Sequence, residues 1–330
     1  MAKDETTIEA AGRAVRLSSP DRVVLPNAGL TKLDVAKHYL ASAEGAVRGV
    51  ARRPTSLKRW PGGAGEDFFF TKRAPGTITN SVAVRFPSAR PGNMPYVEDV
   101  ADIIEQVQLG VLDLNPWNAR IDDLDHPDEL RLDLDPTEEF GFDHCRRVAA
   151  ECRDLLSEHD LVAWPKTSGN RGIHVYVRVM PQWDYFEVRR AGLALAREVE
   201  RRTKQLATTA WWKEERSGVF IDYNQNARDK TIASAYSVRH TGFVSTPFTW
   251  DELDSIQPSH WSIPAFQERY EAIGDLTAGM DDVAGDLTSV MEMVRVDEER
   301  GLGDAPWPPH YPKMPGEPPR VQPSKRKMDG

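Results

Sequence analysis

A chain of 330 residues is long enough for one large domain or two closely packed modules. Its 40 % hydrophobic and 28 % charged residues exclude a disordered chain, and no apolar run approaches the length of a bilayer span. The net charge of -9 argues against a generic nucleic-acid binder, but basic residues gather over 48–73 while acids crowd 122–139 and 275–299, which leaves room for a basic groove on an acidic body.

The acidic, polar lead (1–12) has neither the basic start nor the apolar centre of a signal peptide, so a cytoplasmic location is expected. Residues 13–17 read as a strand and Ser18-Ser19-Pro20-Asp21 as a turn. Thr31 is an N-cap for a helix running to about residue 47, with Leu33, Val35, Ala36, Tyr39 and Leu40 on its apolar stripe. Strands at 55–60 and 67–72 flank Pro61-Gly62-Gly63-Ala64-Gly65 and read as a hairpin. At least one of Phe68, Phe69 and Phe70 on its second arm is expected to face the core. Next come a strand at 82–86, a mobile loop at 87–95, a helix at 99–108 stopped by Gly110, and a strand at 111–114.

Arg131-Leu132-Asp133-Leu134-Asp135-Pro136 reads as a short strand that halts at a proline, followed by a helix over 143–158. Cys145 and Cys152 share the buried face of that helix and are too far apart to bridge along it, and no Cys or His grouping has zinc-site spacing. A strand at 161–166 runs into Thr167-Ser168-Gly169-Asn170-Arg171-Gly172. The chain leaves that loop as a strand with Ile173, Val175, Val177 and Val179 on one face and His174, Tyr176 and Arg178 on the other. A long helix at 185–207 is expected to carry its arginines outward. Strands at 219–223 and 234–238 and helices at 250–256 and 264–273 follow. From Pro306 to Lys325-Arg326-Lys327 the composition is that of an irregular strap or disordered end.

Three stretches carry chemistry. Asp133 and Asp135 alternate with leucines on one strand face, and adjacent carboxylates repel unless a cation sits between them; alone, the pair suits a solvated strand end as well as a metal site. Asp222 ends the apolar run Gly218-Val219-Phe220-Ile221, and three carboxylates converging from two strands could hold one or two divalent metals with room for phosphate oxygens. In Ser168-Gly169-Asn170-Arg171-Gly172-Ile173-His174, glycines allow a tight turn with exposed amides, and serine, arginine and histidine offer donors to a triphosphate. An ordinary hairpin loop with a satisfied histidine is the alternative. The loop from Asp222 to Lys230, followed by Arg239, adds amides and cations suited to the charge of an in-line phosphoryl transfer.

The order Leu-Asp-Leu-Asp-Pro, Thr-Ser-Gly-Asn-Arg-Gly-Ile-His, Val-Phe-Ile-Asp-Tyr-Asn-Gln-Asn and Tyr-Ser-Val-Arg resembles the motifs of archaeo-eukaryotic primase-polymerases. More narrowly it resembles the polymerase domain of bacterial ligase D and its stand-alone actinobacterial relatives. Upstream, Ser19-Pro20-Asp21-Arg22-Val23, Leu30-Thr31-Lys32, Leu57-Lys58-Arg59-Trp60-Pro61-Gly62 and Phe69-Phe70-Thr71-Lys72 fall in the same order, so the likeness covers about 14–276.

The resemblance implies a mixed α/β catalytic fold of two packed mixed sheets flanked by helices, one sheet resembling an RNA-recognition fold. Residues 1–300 would form a single catalytic domain, with an N-terminal module contacting nucleic acid (about 14–115) and a catalytic module (about 116–276), before a Pro-rich basic tail at 301–330. The implied activity is template-dependent addition of nucleotides, with ribonucleotides preferred, to a primer 3′ hydroxyl at short 5′-phosphorylated gaps or breaks during end-joining repair. By position, Asp133, Asp135 and Asp222 would be catalytic and bind two divalent ions, Mn2+ or Mg2+. Ser168, Arg171, Gly172, His174, Gln225, Lys230 and Arg239 would hold the nucleoside triphosphate. Phe69 and Phe70, with Lys58 and Lys72 nearby, would meet the bases, and Arg22 and Lys32 the downstream 5′-phosphate. Asn115 stands where the family often has histidine. No ligase segment follows in the chain, so a monomer working with a separate ATP-dependent DNA ligase, and with no membrane, is expected. Two other readings fit the acids: an Asp-x-Asp glycosyltransferase using a metal-bound nucleotide-sugar, and an inactive DNA end-binding module.

Overall fold

The structure is a computed structural model and describes residues 4–320; Lys325-Arg326-Lys327 lie outside the described residues. The polar lead contains a strand, a correction to its reading as mere lead. Glu5–Ala10 (β1) pairs antiparallel with Arg13–Ser18 (β2) across Ala11-Gly12, both at positive φ, and buries Ile8 and Ala10. Val23–Leu25 (β3) pairs with Leu30–Thr31 (β4), and Thr31 caps Lys32–Ala41 (α1) by reciprocal bonds with Asp34. The helix does not run unbroken to residue 47. Ser42 turns its hydroxyl back to the His38 carbonyl, and the chain restarts as Ala43–Arg48 (α2).

Thr55–Arg59 (β5) and Phe69–Thr71 (β6) form the expected hairpin, but no phenylalanine on it enters the core. Phe68, Phe69 and Phe70 are 46, 47 and 52 % exposed. The physical reason is that β6 is the edge of its sheet; Phe68 packs instead on Trp60, with ring centroids 4.8 Å apart, and the Lys58 ammonium lies 4.5 Å from its ring centre. Ser81–Val84 (β7) pairs with Gly92–Pro95 (β8), so the expected loop at 87–95 ends in a strand, fixed by burial of Met94 beside Trp117 and Val84. Asp99 caps Val100–Gln108 (α3), Gly110 at φ 86 stops it, and Val111–Pro116 (β9) completes a three-stranded sheet in the order β6-β5-β9.

The larger sheet is built around Glu129–Pro136 (β10). After Phe142–Glu158 (α4) come Ala163–Thr167 (β11), Ile173–Arg178 (β12), Tyr185–Arg202 (α5), Ala207–Thr208 (β13) and Val219–Ile221 (β14). The order is β11-β12-β10-β14-β13, antiparallel except for the β13–β14 pair. Leu130, Leu132 and Leu134 on β10 and Ile173, Val175 and Val177 on β12 pack with Val148 and Leu155 of α4 and Val188 and Leu195 of α5. Each such side chain, fully buried, contributes about 1.5–3 kcal/mol. A second core joins α1, α3, the β1–β2 hairpin and Leu112 and Leu114 of β9 to Tyr236 and Phe266. Ile263–Ile273 (α6) packs there, and Thr288–Glu299 (α7), absent from the sequence reading, lies against α5.

Several boundaries move for local reasons. α5 ends at Arg202, because Lys204 and Gln205 take positive φ, and one of its arginines, Arg189, is fully buried rather than outward. Residues 234–238 form no strand, since Tyr236 sits at φ 65 and Val238 makes only an isolated bridge to Val244. The helix expected at 250–256 is one 3-10 turn, Trp250–Glu252. The strand at 219–223 stops at Ile221, so Asp222 leads the turn Tyr223–Asn226. Among the described residues, no helix is long and apolar enough to cross a membrane, and Cys145 and Cys152 are free and buried.

Candidate active site

The apolar face of β10 feeds the core, so its other residues, Glu129, Arg131 and Asp133, are turned toward the seam between the two cores. At the start of the strand every charge has an opposite. Arg131 Nε donates to Glu129 Oε1 at 2.7 Å, its Nη1 and Nη2 reach the carbonyls of Pro116 and Trp117 (both 2.9 Å), and Arg178 also binds Glu129. Fully buried Arg53 meets Asp128 at 2.6 Å. Burial alone would raise the Glu129 pKa, but Arg131, Arg178 and Arg53 outweigh it and hold it at about 2.

Two residues later the balance inverts. Asp133 is buried, and burial first, then Asp135 and Asp222, drive its pKa well above the ordinary carboxylate value. Asp135 opens to solvent at the rim, where crowding by protein and the nearby Asp222 also raise it. The Asp222 amide donates to the Asp133 carbonyl at 2.9 Å, continuing the β10–β14 ladder by one residue and fixing the third acid beside the first. Gln225 Nε2 lies between the two side chains, 2.9 Å from Asp222 Oδ2 and 3.3 Å from Asp133 Oδ2. Asp133 Oδ1 is 3.3 Å from His174 Nε2 but outside hydrogen-bond geometry, which leaves a buried oxygen without a partner.

An orphaned carboxylate oxygen, two acids of raised pKa with the Asp222 carboxylate beside them, and an amide donor wedged between Asp133 and Asp222 fit an oxygen-liganded divalent cation. Among the described residues no three acid, imidazole or thiol groups already stand at joint metal-binding distance.

The expected triphosphate loop sits beside these acids. Ser168 Oγ accepts the amides of Asn170 (3.2 Å) and Gly172 (3.0 Å), so its hydroxyl shapes the loop. Gly172 is required by close approach: a Cβ there would stand 2.3 Å from the Leu134 carbonyl oxygen and 3.2 Å from Asp135 Oδ1. Arg171 is exposed and its field lowers the Asp135 pKa against the raising effects. Register places His174 opposite Asp133, and burial, Lys166 and Arg239 keep its imidazole neutral. Arg239 packs over Gly169 and lies 3.4 Å from Asp113.

Other expected residues are more dispersed. Lys72 pairs with Asp229 at 2.6 Å, next to Lys230. Lys58 faces Phe70 across the hairpin and stands 3.9 Å from Asp113, and the Arg59 guanidinium lies 5.2 Å from the Phe69 ring centre. Lys32 is buried and donates to the Ser18 carbonyl (3.1 Å), the Gln108 carbonyl (2.9 Å) and Gln108 Oε1 (2.8 Å). Burial and exposed Arg22 bring its pKa down to about 8, so the two share one patch. Asn115 turns its amide onto the Asp113 carbonyl at 2.8 Å.

Two residues of the site escaped the sequence reading. Lys166 is buried, with Nζ at 2.7 Å from His174 Nδ1, 2.8 Å from the Ala233 carbonyl and 2.7 Å from Ser245 Oγ. Nothing in its strand singled it out. Asp113 did carry a signal: Val-Leu-Asp-Leu-Asn-Pro repeats the apolar-acid alternation of Leu-Asp-Leu-Asp-Pro, and β9 turns Asp113 toward Lys58 and Arg239.

Residues 31–277 match the family model described as LigD, primase-polymerase domain. The multifunctional non-homologous end joining protein LigD of Mycolicibacterium smegmatis is 31 % identical over 293 residues, which cover 84 % of this chain and 38 % of that protein. Its namesake from Pseudomonas aeruginosa is 30 % identical over 300 residues, 89 % of this chain and 35 % of that protein. The chain thus spans little more than a third of the length of these relatives. A solved structure, the polymerase domain from Mycobacterium tuberculosis ligase D in complex with DNA, superposes with a TM-score of 0.73 at 30 % identity, covering 82 % of this chain and 99 % of that one.

Proposed function

Because the chain belongs to the LigD primase-polymerase domain family, a family of nucleotidyltransferases, we propose that it is a template-dependent polymerase adding nucleotides to a primer 3′ hydroxyl at short 5′-phosphorylated gaps or breaks during end-joining repair of DNA. The observation that carries this reading is the gathering of Asp133, Asp135 and Asp222 beside neutral His174 and the cations Arg171 and Arg239. Such a set suits a polyanion delivered with divalent metal.

In this reading Asp133, Asp135 and Asp222 hold two divalent ions, Mn2+ or Mg2+, which when bound supply charge neutralisation at the phosphoryl oxygens and a lowered pKa for the attacking hydroxyl. Arg171, Lys230 and Arg239 bind the triphosphate as fixed cations, and Ser168 and Gly172 shape the loop beneath it. His174 offers its Nε2 on the same side, and Gln225 keeps Asp222 aligned with Asp133. Phe69 and Phe70 give exposed aromatic faces for bases, with Lys58 and Lys72 beside them. Exposed Arg22 meets the downstream 5′-phosphate, and buried Lys32, its three donors spent on Ser18 and Gln108, adds its charge to that patch. Residues 1–300 act as one catalytic domain and as a monomer, ribonucleotides are the preferred substrates, and a separate ATP-dependent DNA ligase seals the product.

The test is primer extension on DNA with a short 5′-phosphorylated gap, comparing ribonucleotides with deoxynucleotides in Mn2+ and in Mg2+. Templated extension with pyrophosphate release, faster with ribonucleotides, is expected. Absence of templated extension in either metal would overturn the reading, and equal rates would remove the ribonucleotide preference alone.

A further inference from the structure

The chain beyond α7 lies outside the segment matched by the family model, yet it is fastened to the turn that carries Asp222. Arg189 of α5, fully buried, joins the two. Its Nε donates to Asn224 Oδ1 at 2.7 Å, its Nη1 to Asp304 Oδ1 at 2.6 Å, and its Nη2 to the carbonyls of Ala305 (2.8 Å) and Pro306 (3.0 Å). Asn224 Nδ2 also reaches the Pro306 carbonyl at 3.1 Å, while the Asn224 amide donates to Asp222 Oδ1 at 3.0 Å.

Trp307 plugs this junction. It is 2 % exposed, stacks on Phe186 with ring centroids 5.6 Å apart, lies 4.0 Å from the Arg189 guanidinium, and donates its indole N–H to Asp304 Oδ2 at 2.7 Å. Further on, His310 stands 4.0 Å from Asp229, and the Tyr311 hydroxyl donates to the Arg228 carbonyl. The strap therefore touches the loop that follows Asp222 at Asn224, Arg228 and Asp229. That loop needs such support. β14 ends at Ile221, and the short turn after it is held to β10 by the Asp222 amide on the Asp133 carbonyl and by Asn226 on the Arg131 backbone, so Asn224, midway between these two anchors, is the point that the strap fixes from behind.

We propose that residues 304–311 are a positioning element of the active site, acting through Arg189 and Asn224 to keep Asp222 and Gln225 directed at Asp133. For the reaction affected, this rests on the polymerase reading; for metal affinity it stands on the geometry alone. Ordering an irregular segment costs conformational entropy, and the Arg189 and Trp307 contacts offset that cost at the loop bearing the third acid. Outer partners that orient metal ligands typically control affinity or activity by about 10–100-fold.

The experiment uses the full chain carrying Asp304→Asn, which weakens the hold on Arg189 while keeping the side-chain shape. Five quantities are compared with the parent: Mn2+ binding by the protein alone, followed by loss of the free-ion paramagnetic resonance signal; kcat and KM for the nucleoside triphosphate; affinity for gapped DNA; and the melting temperature. Mn2+ binding weaker by about tenfold, with a matching fall in kcat and little change in DNA affinity or melting temperature, is expected. Should Asp304→Asn fail to fold, Trp307→Phe, which keeps the plug and drops its bond to Asp304, is measured in the same way. Unchanged Mn2+ affinity would overturn the proposal, as would losses of metal binding, DNA affinity and melting temperature in parallel. A parent that binds Mn2+ in a strap-dependent way but extends no primer would sink the polymerase reading and leave this one standing.

Discussion

The two ends of β10 treat buried charge in opposite ways. At Glu129 and Arg131 every charge is matched, and the Glu129 pKa falls to about 2. At Asp133 and Asp135, two to six residues along the same strand, like charges are crowded, their pKa values rise, and one oxygen has no partner. The first arrangement holds a strand between two cores; the second stores electrostatic stress where a cation can relieve it. The contrast separates paired from crowded carboxylates more sharply than burial does, because Glu129 and Asp133 are both buried.

Asp133→Asn, made with Asp135→Asn, is the largest test of the functional end: primer extension should fall by at least about a thousandfold while gapped-DNA affinity is retained. At the structural end Glu129→Gln should lower unfolding free energy by about 3–5 kcal/mol, because it strands buried Arg131 and Arg178. The sign with pH follows from its depressed pKa. The Glu129 contribution is present above about pH 4.5 and is lost as pH falls toward 2, so denaturant unfolding at neutral and acid pH should show the parent and Glu129→Gln converging in acid.

Asp133→Asn alone should do the reverse to metal-free stability. A raised carboxylate binds its proton more tightly in the folded state, so ionising it at neutral pH costs stability, and the amide should raise unfolding free energy by on the order of 1 kcal/mol. That gain should shrink as pH falls toward about 4, because the folded parent takes up its proton first, at its raised pKa, and the unfolded chain only near the ordinary carboxylate value. A destabilised Asp133→Asn would break the comparison. The smallest effect concerns the same contrast at the basic patch. Arg22→Ala should weaken preference for a 5′-phosphorylated gap and reduce the salt slope of DNA binding by about one, whereas Lys32→Ala, which removes three internal bonds, should also lower the melting temperature.

Much of the molecule was legible in its residues because the signal was local. Apolar alternation gave β10 and β12, Thr31 and Asp99 gave the starts of α1 and α3, and the acid-ended apolar runs gave Asp133, Asp135 and Asp222. What failed was whatever depended on layers not adjacent in sequence. Phe68, Phe69 and Phe70 are apolar enough for a core, but their strand is a sheet edge; Arg189 looks solvent-bound on a helix, but the strap covers it.

The sequence by itself thus determined which residue types could bind metal and phosphate, since charge, alternation and glycine placement are written in order along the chain. Only the tertiary structure decided which charges are paired. Pairing depends on distance through space: Lys166 meets His174, Asp113 meets Arg239, and Pro306 meets Asn224 only when separate segments are packed around β10.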